Sequence, residues 1–420
     1  MTNKDILRSV IMQQKNLLQH TEETIKRELL DEILKWFGDN RILILTGLRR
    51  SGKSTLLKQI MQHKSRYCYA NFEDERFIDF RAQDFEQLNE VLIETYGNPA
   101  IYFFDEIQNI KNFETFVRRL QDQGKKIVIT GSNASLLSKE LGTRLTGRYK
   151  AFEVYPFSFS EYLKFRKAEP DKTWFYDTGK KVKLVKFFEN FITDGGMPEY
   201  LKNKDIEYIK TVYENIIYKD IITRYAIRRE RLVRELVNIF ITNITAQFTY
   251  NSLKKTLGLA NAITVKEYTT YLGNSYLFFE LQKLELSVKK QLIAPKKIYV
   301  ADTAFSHILS ASFLENKGRV LENIVFIELK RKNKEVYYYA DKNECDFMVK
   351  SGKKVTEALQ VCYNLDETNK KREMAGLLEA MEKFNLKEGL ILTQEQNDEI
   401  KIKGRKIKIV PVFKWLLENR

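Results

Sequence analysis

Cysteine is scarce in this sequence: Cys68, Cys345 and Cys362 are its only three, far apart and at no metal-ligand spacing, and histidine is as rare, with three. The chain therefore offers neither a disulfide framework nor a zinc site. Six prolines, no Ser/Gly-rich or low-complexity tract and no internal repeat leave no flexible linker to announce domain boundaries. Long apolar runs are missing too. None approaches the ~20 residues of a membrane span, and the opening MTNKDILRSV is too polar for a signal peptide. The expectation is a cytoplasmic chain with no membrane partner. Acid is also in deficit, with 56 Asp and Glu against 71 Lys and Arg, a formal charge of +15. A surplus of this kind points to an anionic partner, because lysine and arginine release counterions when they meet phosphates. Between Leu201 and Arg319 there are 19 basic residues against 11 acidic ones, so over half of the excess lies mid-chain.

What is present is an ordinary core-forming composition, 43% hydrophobic and 12% aromatic over 420 residues, enough for two to four domains. Residues 1–40 read as helical, with IKRELLDEILKWF placing Ile25, Leu29, Ile33 and Phe37 on one face. Short apolar strands then alternate with helices: RILILTG, STLLKQIMQ, RYCYANFED, FEQLNEVLIETYG, AIYFFDE, ETFVRRLQD and KIVITGS. That alternation predicts an α/β domain over 1–156 with a parallel sheet covered on both faces. Helices dominate from Phe157 to Tyr225, broken at DGGMPEYL. Next come two helical stretches flanking Gly258, and YLFFELQKLELSVKKQLIAPKKIYV reads as a two-stranded wing. Together they predict a helical and winged-helix region over 157–302. Strands EVYYYAD, ECDFMVK and EALQVCY, the helix KREMAGLLEAMEKF, and strands GLILT and IKIVPVF give a second α/β domain over 303–420.

Chemistry concentrates in GLRRSGKST. Gly47, Gly52, Lys53 and Ser54 fit the phosphate-loop pattern with strand before and helix after. The glycines let backbone N–H groups face a β-phosphate, Lys53 can reach β- and γ-oxygens, and Ser54 can hold Mg²⁺. Arg50, Ser51 and Thr55 share the segment and are candidate ATP contacts, while Arg49 and Arg50 could instead pair with a neighbouring domain or DNA. IYFFDEIQNI supplies the second half: Asp105 to hold Mg²⁺ with Ser54, and Glu106 to orient or deprotonate the attacking water. The strand ending in KIVITGSNASLL offers Thr130, Ser132 or Asn133 to the γ-phosphate, or Ser132 or Asn133 as a helix cap. In LGTRLTGRYKAF, Arg144 or Arg148 could act as a finger toward a neighbouring subunit, which would require a homo-oligomer, or could solvate a loop.

The set GLRRSGKST, YANFED, IYFFDEIQNI, ITGSNASLLS and LTGRYKAFEVYPFSFSEYL resembles the AAA+ ATP-binding proteins of bacteria and archaea that carry a C-terminal domain of restriction-endonuclease type, over nearly the whole chain. The resemblance implies a P-loop sheet whose sensor strand lies between the two Walker strands, a winged-helix middle and a nuclease-like end, with ATP and Mg²⁺ as cofactors. In a nuclease-like end, a helix Glu, a strand Asp and an acid-x-Lys on the next strand gather metal and water. Glu322 and Asp346 match the first two. The third departs, since ALQVCY has Gln360 and Cys362 where acid-x-Lys belongs. Gln360 could offer an oxygen to a metal and Lys370 or Lys371 could lend the ammonium, but the expectation is a catalytically degenerate domain, with Cys362 a small buried hydrophobe. In the middle region, Asn261, Thr264 and Lys266 could face bases and Lys254 and Lys255 phosphates, or the module could bind protein. The chain is thus expected to be an ATPase whose hydrolysis drives domain rearrangement on DNA. The alternatives are an ATP-switched scaffold for a protein partner and an ATP-controlled metal-dependent nuclease.

Overall fold

A computed structural model describes residues 3–19, 24–134, 147–311 and 316–418. The chain forms two compact units: residues 1–155 with 274–276, and residues 156–273 with 277–420.

The first unit is built on five parallel strands, β1 (Ile42–Thr46), β2 (Tyr67–Asn71), β3 (Ile101–Asp105), β4 (Lys126–Gly131) and β5 (Tyr149–Glu153), in the order β2-β3-β4-β1-β5. Every residue of β1 is buried, because alternate side chains serve opposite cores. Ile42 and Ile44 join Phe104, Phe116 and Leu120 on one face, while Leu43 and Leu45 join Leu56, Ile60 and Phe103 on the other. Helices Lys53–Gln62, Phe85–Tyr96 and Phe113–Asp122 stand where the apolar periodicity puts them. Strand β4 separates β1 from β3, as the family resemblance implies. At the N-terminus helix Lys4–Gln19 packs on Phe85–Tyr96. The expected second helix is shorter, Leu29–Lys35, with Ile25 ahead of it. Its inward residues are Leu30 and Ile33, in place of the Ile25, Leu29, Ile33, Phe37 face.

The second unit opens with helices Phe159–Phe165, Thr178–Asp194, Pro198–Asn203, Ile206–Asn215 and Glu230–Thr242. The break at DGGMPEYL is a tight passage: Gly195 has φ 64°, and a Cβ there would collide with the Asp302 carboxylate. Next come β6 (Gln247–Phe248), helices Tyr250–Thr256 and Ala262–Asn274, β7 (Phe278–Gln282), a short helix Val288–Ile293 and β8 (Lys296–Val300). The three strands pair antiparallel in the order β6-β8-β7. The third strand and the short helix between β7 and β8 go beyond the two-stranded expectation.

Helices Thr303–Leu309 and Lys317–Arg331 lead into a mixed sheet of β9 (Glu335–Ala340), β10 (Glu344–Ser351), β11 (Lys354–Val361), β12 (Glu388–Thr393), β13 (Asp398–Ile402) and β14 (Arg405–Pro411), ordered β13-β14-β12-β11-β10-β9. Helix Lys370–Lys383 covers β10 and β11 through Met374, Leu377 and Met381. The expected strand IKIVPVF falls on β14, and ahead of it the unexpected β13 completes a hairpin. Lys403 and Gly404, at φ 48° and 76°, make the turn whose twist suits paired strands, and helix Val412–Glu418 follows.

Candidate functional site

At the C-terminal end of β1 the chain turns through Gly47–Gly52 into helix Lys53–Gln62. Gly47 sits at φ 150°, and any Cβ would strike the Val154 carbonyl; Gly52 sits at φ 95°. Arg50 adopts a left-handed φ of 64° with its side chain exposed, a conformation that costs a non-glycine residue about 1 kcal/mol and so marks a loop held in a required shape. Lys53 is buried. Its ammonium donates to the carbonyls of Gly47 (3.2 Å) and Leu48 (3.0 Å) and lies 3.9 Å from Glu106 Oε1. Ser54 and Thr55 are half-buried on the first turn of the helix. Arg49 pairs with Glu73 at 3.2 Å.

The acidic tip of β3 lies beside this loop. Asp105 is 1% exposed, and its carboxylate accepts from the hydroxyls of Thr130 and Ser54 and from Tyr69 Oη at 3.2 Å. Burial, then the neighbouring charge of Glu106, raises its pKa above the usual range, against the hydroxyl bonds and Lys53. Glu106 takes a left-handed φ of 52°, with its N–H on Thr130 Oγ1 at 2.9 Å. Gln108 Nε2 donates to its carboxylate. Thr130, Ser132 and Asn133 are buried at the tip of β4, so all three candidates of that segment reach the same end of the sheet. The helix that Ser132 or Asn133 would cap lies outside the described residues.

Two buried polar atoms here, Ser51 Oγ and Gln108 Oε1, have no hydrogen-bond partner among the described residues. They fit a pocket whose bonding is completed by a polar ligand. Sequence reasoning missed three contributors. Gln108 and Tyr69 orient the acids, and Arg27, 3% exposed, donates to the Ser51 carbonyl (2.9 Å) and the Tyr155 carbonyl (2.6 Å), bracing the loop from behind. Arg144 lies outside the described residues. Arg148 stands at the N-terminal end of β5, its carbonyl bonded to Ile42 N–H and its guanidinium paired with Asp122. This is the far end of the sheet from the phosphate loop of its own chain.

The second unit contains another charged site. Glu322 on helix Lys317–Arg331, Asp346 on β10 and Gln360 on β11 come together. The ammonium among them comes from Lys297 on β8, at 2.9 Å from both Glu322 Oε1 and Asp346 Oδ1 and 2.6 Å from Glu344 Oε1. Lys370 and Lys371 stand exposed on their helix. Burial alone would lower the pKa of Lys297, but Asp346 and Glu322 outweigh it and hold the group well above its ordinary value. Glu322 moves up in turn, through burial and the Asp346 charge. Gln360 does not aim its oxygen at a cation. Its Oε1 accepts the Asp346 N–H at 3.2 Å and its Nε2 donates to Glu373 at 2.7 Å. Cys362 is buried in the core under helix Lys370–Lys383, and burial pushes its thiol up to about 12. A core-facing lysine in the apolar strand KKIYV, in register with Tyr299, was the sequence signal for Lys297.

The surface of the β6–β8 region is less committed. Asn261, Lys255 and Lys266 are exposed, and Thr264 and Lys254 half-exposed. Asn261 Oδ1 accepts from Ile263 N–H at 2.8 Å, so its oxygen caps the helix. Among the described residues no helix is long and apolar enough to cross a membrane.

The parallel sheet, glycine loop and acidic strand tip define a P-loop ATPase domain of the AAA type, and residues 39–163 match the family model of an AAA domain. Residues 185–316 and 317–415 match two domains of unknown function, DUF8612 and DUF4143. The chain is 36% identical over 399 residues to the uncharacterized protein MJ1544 of Methanocaldococcus jannaschii, covering 90% of this chain and 88% of that one. An uncharacterized protein of Haemophilus influenzae is 26% identical over 413 residues, 94% of this chain and 99% of that one. Among solved structures, the Walker-type ATPase PABY2304 of Pyrococcus abyssi is similar with a TM-score of 0.41 at 15% identity, over 68% of this chain and 96% of that one. The chain belongs to the family of AAA-domain proteins that includes MJ1544.

Proposed function

We propose that the protein hydrolyses ATP and uses the cycle to rearrange its second unit on DNA. The observation that carries this reading is the convergence of Lys53, Ser54, Asp105, Glu106 and Thr130 at the C-terminal ends of β1, β3 and β4. Helix Lys53–Gln62 directs its positive end at the loop, and the loop N–H groups and Lys53 would take the phosphates. Ser54 and Asp105, already joined by a hydrogen bond, would hold Mg²⁺. When bound, the ion would neutralise charge developing between the β- and γ-phosphates. Lys53 must give up two backbone carbonyls to reach an oxyanion, an exchange favoured because a charged acceptor binds an ammonium more strongly than a neutral one. Glu106 would then orient and deprotonate water, with Asn133 or Ser132 as a further contact to the γ-phosphate. Arg148 would serve a neighbouring subunit on leaving Asp122.

DNA as the partner is supported by the basic surplus of residues 201–319 and by the strand, helix, helix, strand, short helix, strand order of β6 to β8, which is that of a winged helix-turn-helix with a short helix added between the two wing strands. Residues 274–276 belong to the nucleotide unit while the chain on either side belongs to the second. In that segment Tyr276 Oη lies 2.9 Å from Thr46 Oγ1, one residue ahead of Gly47, so a hydrogen bond ties the strand before the loop to a segment whose chain neighbours on both sides belong to the second unit. The restriction-endonuclease-like end would serve as a binding shell. Phosphate release with and without duplex or single-stranded DNA tests the reading. DNA should raise turnover and bind with a steep salt dependence; turnover indifferent to every DNA form, with no salt-sensitive binding, would remove DNA from it.

A further inference from the structure

The acidic basin of the second unit holds a cation of its own. Oxygens of Glu322, Glu344 and Asp346 lie 2.9, 2.6 and 2.9 Å from Lys297 Nζ and so converge on one point. Two of the three are locked in that aim. The Tyr299 hydroxyl donates to Glu322 Oε1 at 2.7 Å, and the Val361 N–H to Asp346 Oδ2 at 3.0 Å. Carboxylates brought this close repel one another, and here the positive charge of the ammonium offsets that repulsion. Hard divalent ions are held in the same manner, by carboxylate oxygens around one centre at roughly 2.0–2.6 Å. Among the described residues, however, no group of three His, Cys, Asp or Glu side chains is arranged to hold a metal ion, and Gln360 spends its oxygen on the Asp346 N–H.

We propose that the Lys297 ammonium occupies, as a tethered cation, the position at which Glu322, Glu344 and Asp346 would otherwise collect a divalent metal. The basin then works without one. Its opening encloses about 570 Å³ and is lined by Arg319, Lys342 and Arg372 as well as the acids. An anionic ligand such as a nucleic-acid backbone is met there by these side chains, with no bound metal between. None of this depends on nucleotide turnover.

The competing role for Lys297 is that of companion to a metal, and the two roles differ in what the wild-type chain binds. The probe is Mn²⁺ alone, titrated into nucleotide-free, full-length protein and followed by electron paramagnetic resonance. Wild type should show no saturable Mn²⁺ that Asp346→Asn removes. Lys297→Met should gain one Mn²⁺ per chain, bound at least about tenfold tighter than any on wild type, and adding Asp346→Asn should abolish the gain. Should Lys297→Met lose its fold, Lys297→Gln, which keeps a hydrogen-bond donor among the carboxylates, carries the same expectation. A wild-type Mn²⁺ site lost in Asp346→Asn overturns the proposal, because the lysine then accompanies a metal. A folded Lys297 variant that gains nothing overturns it equally.

Discussion

At the scale of single residues, Glu106 and Lys53 separate two steps that most substitutions would blur. Glu106 lies 3.9 Å from the Lys53 ammonium, and Glu106→Gln exchanges one carboxylate oxygen for an amide of the same shape, so it keeps the shape of the pocket and removes a base. Nucleotide binding should survive while steady-state phosphate release falls about 100-fold or more. Asp302 makes a prediction about stability. Fully buried, it accepts from Gly196 N–H (2.7 Å) and Ala304 N–H (3.0 Å), yet burial still lifts its pKa to about 6. The native state therefore holds a proton between about pH 4 and 6 that the unfolded chain has lost, and stability falls as pH rises through that window, by about 3 kcal/mol. Urea unfolding should show that Asp302→Asn lacks this loss, so its deficit relative to wild type narrows between pH 4.5 and 7. Which residues were legible follows from distance along the chain. Lys53 and Ser54 announce themselves within one nine-residue loop, and Asp105 and Glu106 end an apolar strand. Lys297 and Arg27 do not, because their meaning rests on partners 24 to 128 residues away.

At the scale of elements, the phosphate loop is a strained turn held by its supports. Arg27 closes two buried carbonyls, one of them inside the loop. Arg27→Ala would leave both without their charged donor, a loss of the order of 1–3 kcal/mol. The variant should bind ATP about tenfold more weakly in calorimetry, with an unchanged circular dichroism spectrum. The parallel strands were readable because burial on both faces makes them continuous apolar runs, as in ILILT and IYFFD. Strand β13, Asp398–Ile402, was not, because it is an edge strand whose sequence DEIKI is mostly charged and exposed. Only IKIVPVF therefore read as a strand there, although the Lys403–Gly404 turn was present in the sequence. Helix Val288–Ile293 escaped for a related reason: it buries none of its residues and so leaves no amphipathic trace.

At the scale of the whole molecule, residues 274–276 belong to the nucleotide unit while the chain on either side of them belongs to the second unit. The hydroxyl of Tyr276 meets Thr46 directly before the phosphate loop, and its removal should uncouple without disarming. Tyr276→Phe is expected to keep DNA-independent turnover within about twofold, since a single neutral hydrogen bond is worth about 1 kcal/mol, and to lose most of the DNA stimulation, both read as phosphate release. The proposed coupling requires that the glycine loop and the acidic tip of β3 hold one magnesium nucleotide. Calorimetric titration of ATP with Mg²⁺ into wild type and Lys53→Ala tests that most directly. One nucleotide bound per wild-type chain, with binding abolished in Lys53→Ala, is the predicted result; no heat from folded wild-type protein, or equal binding by both chains, would contradict it.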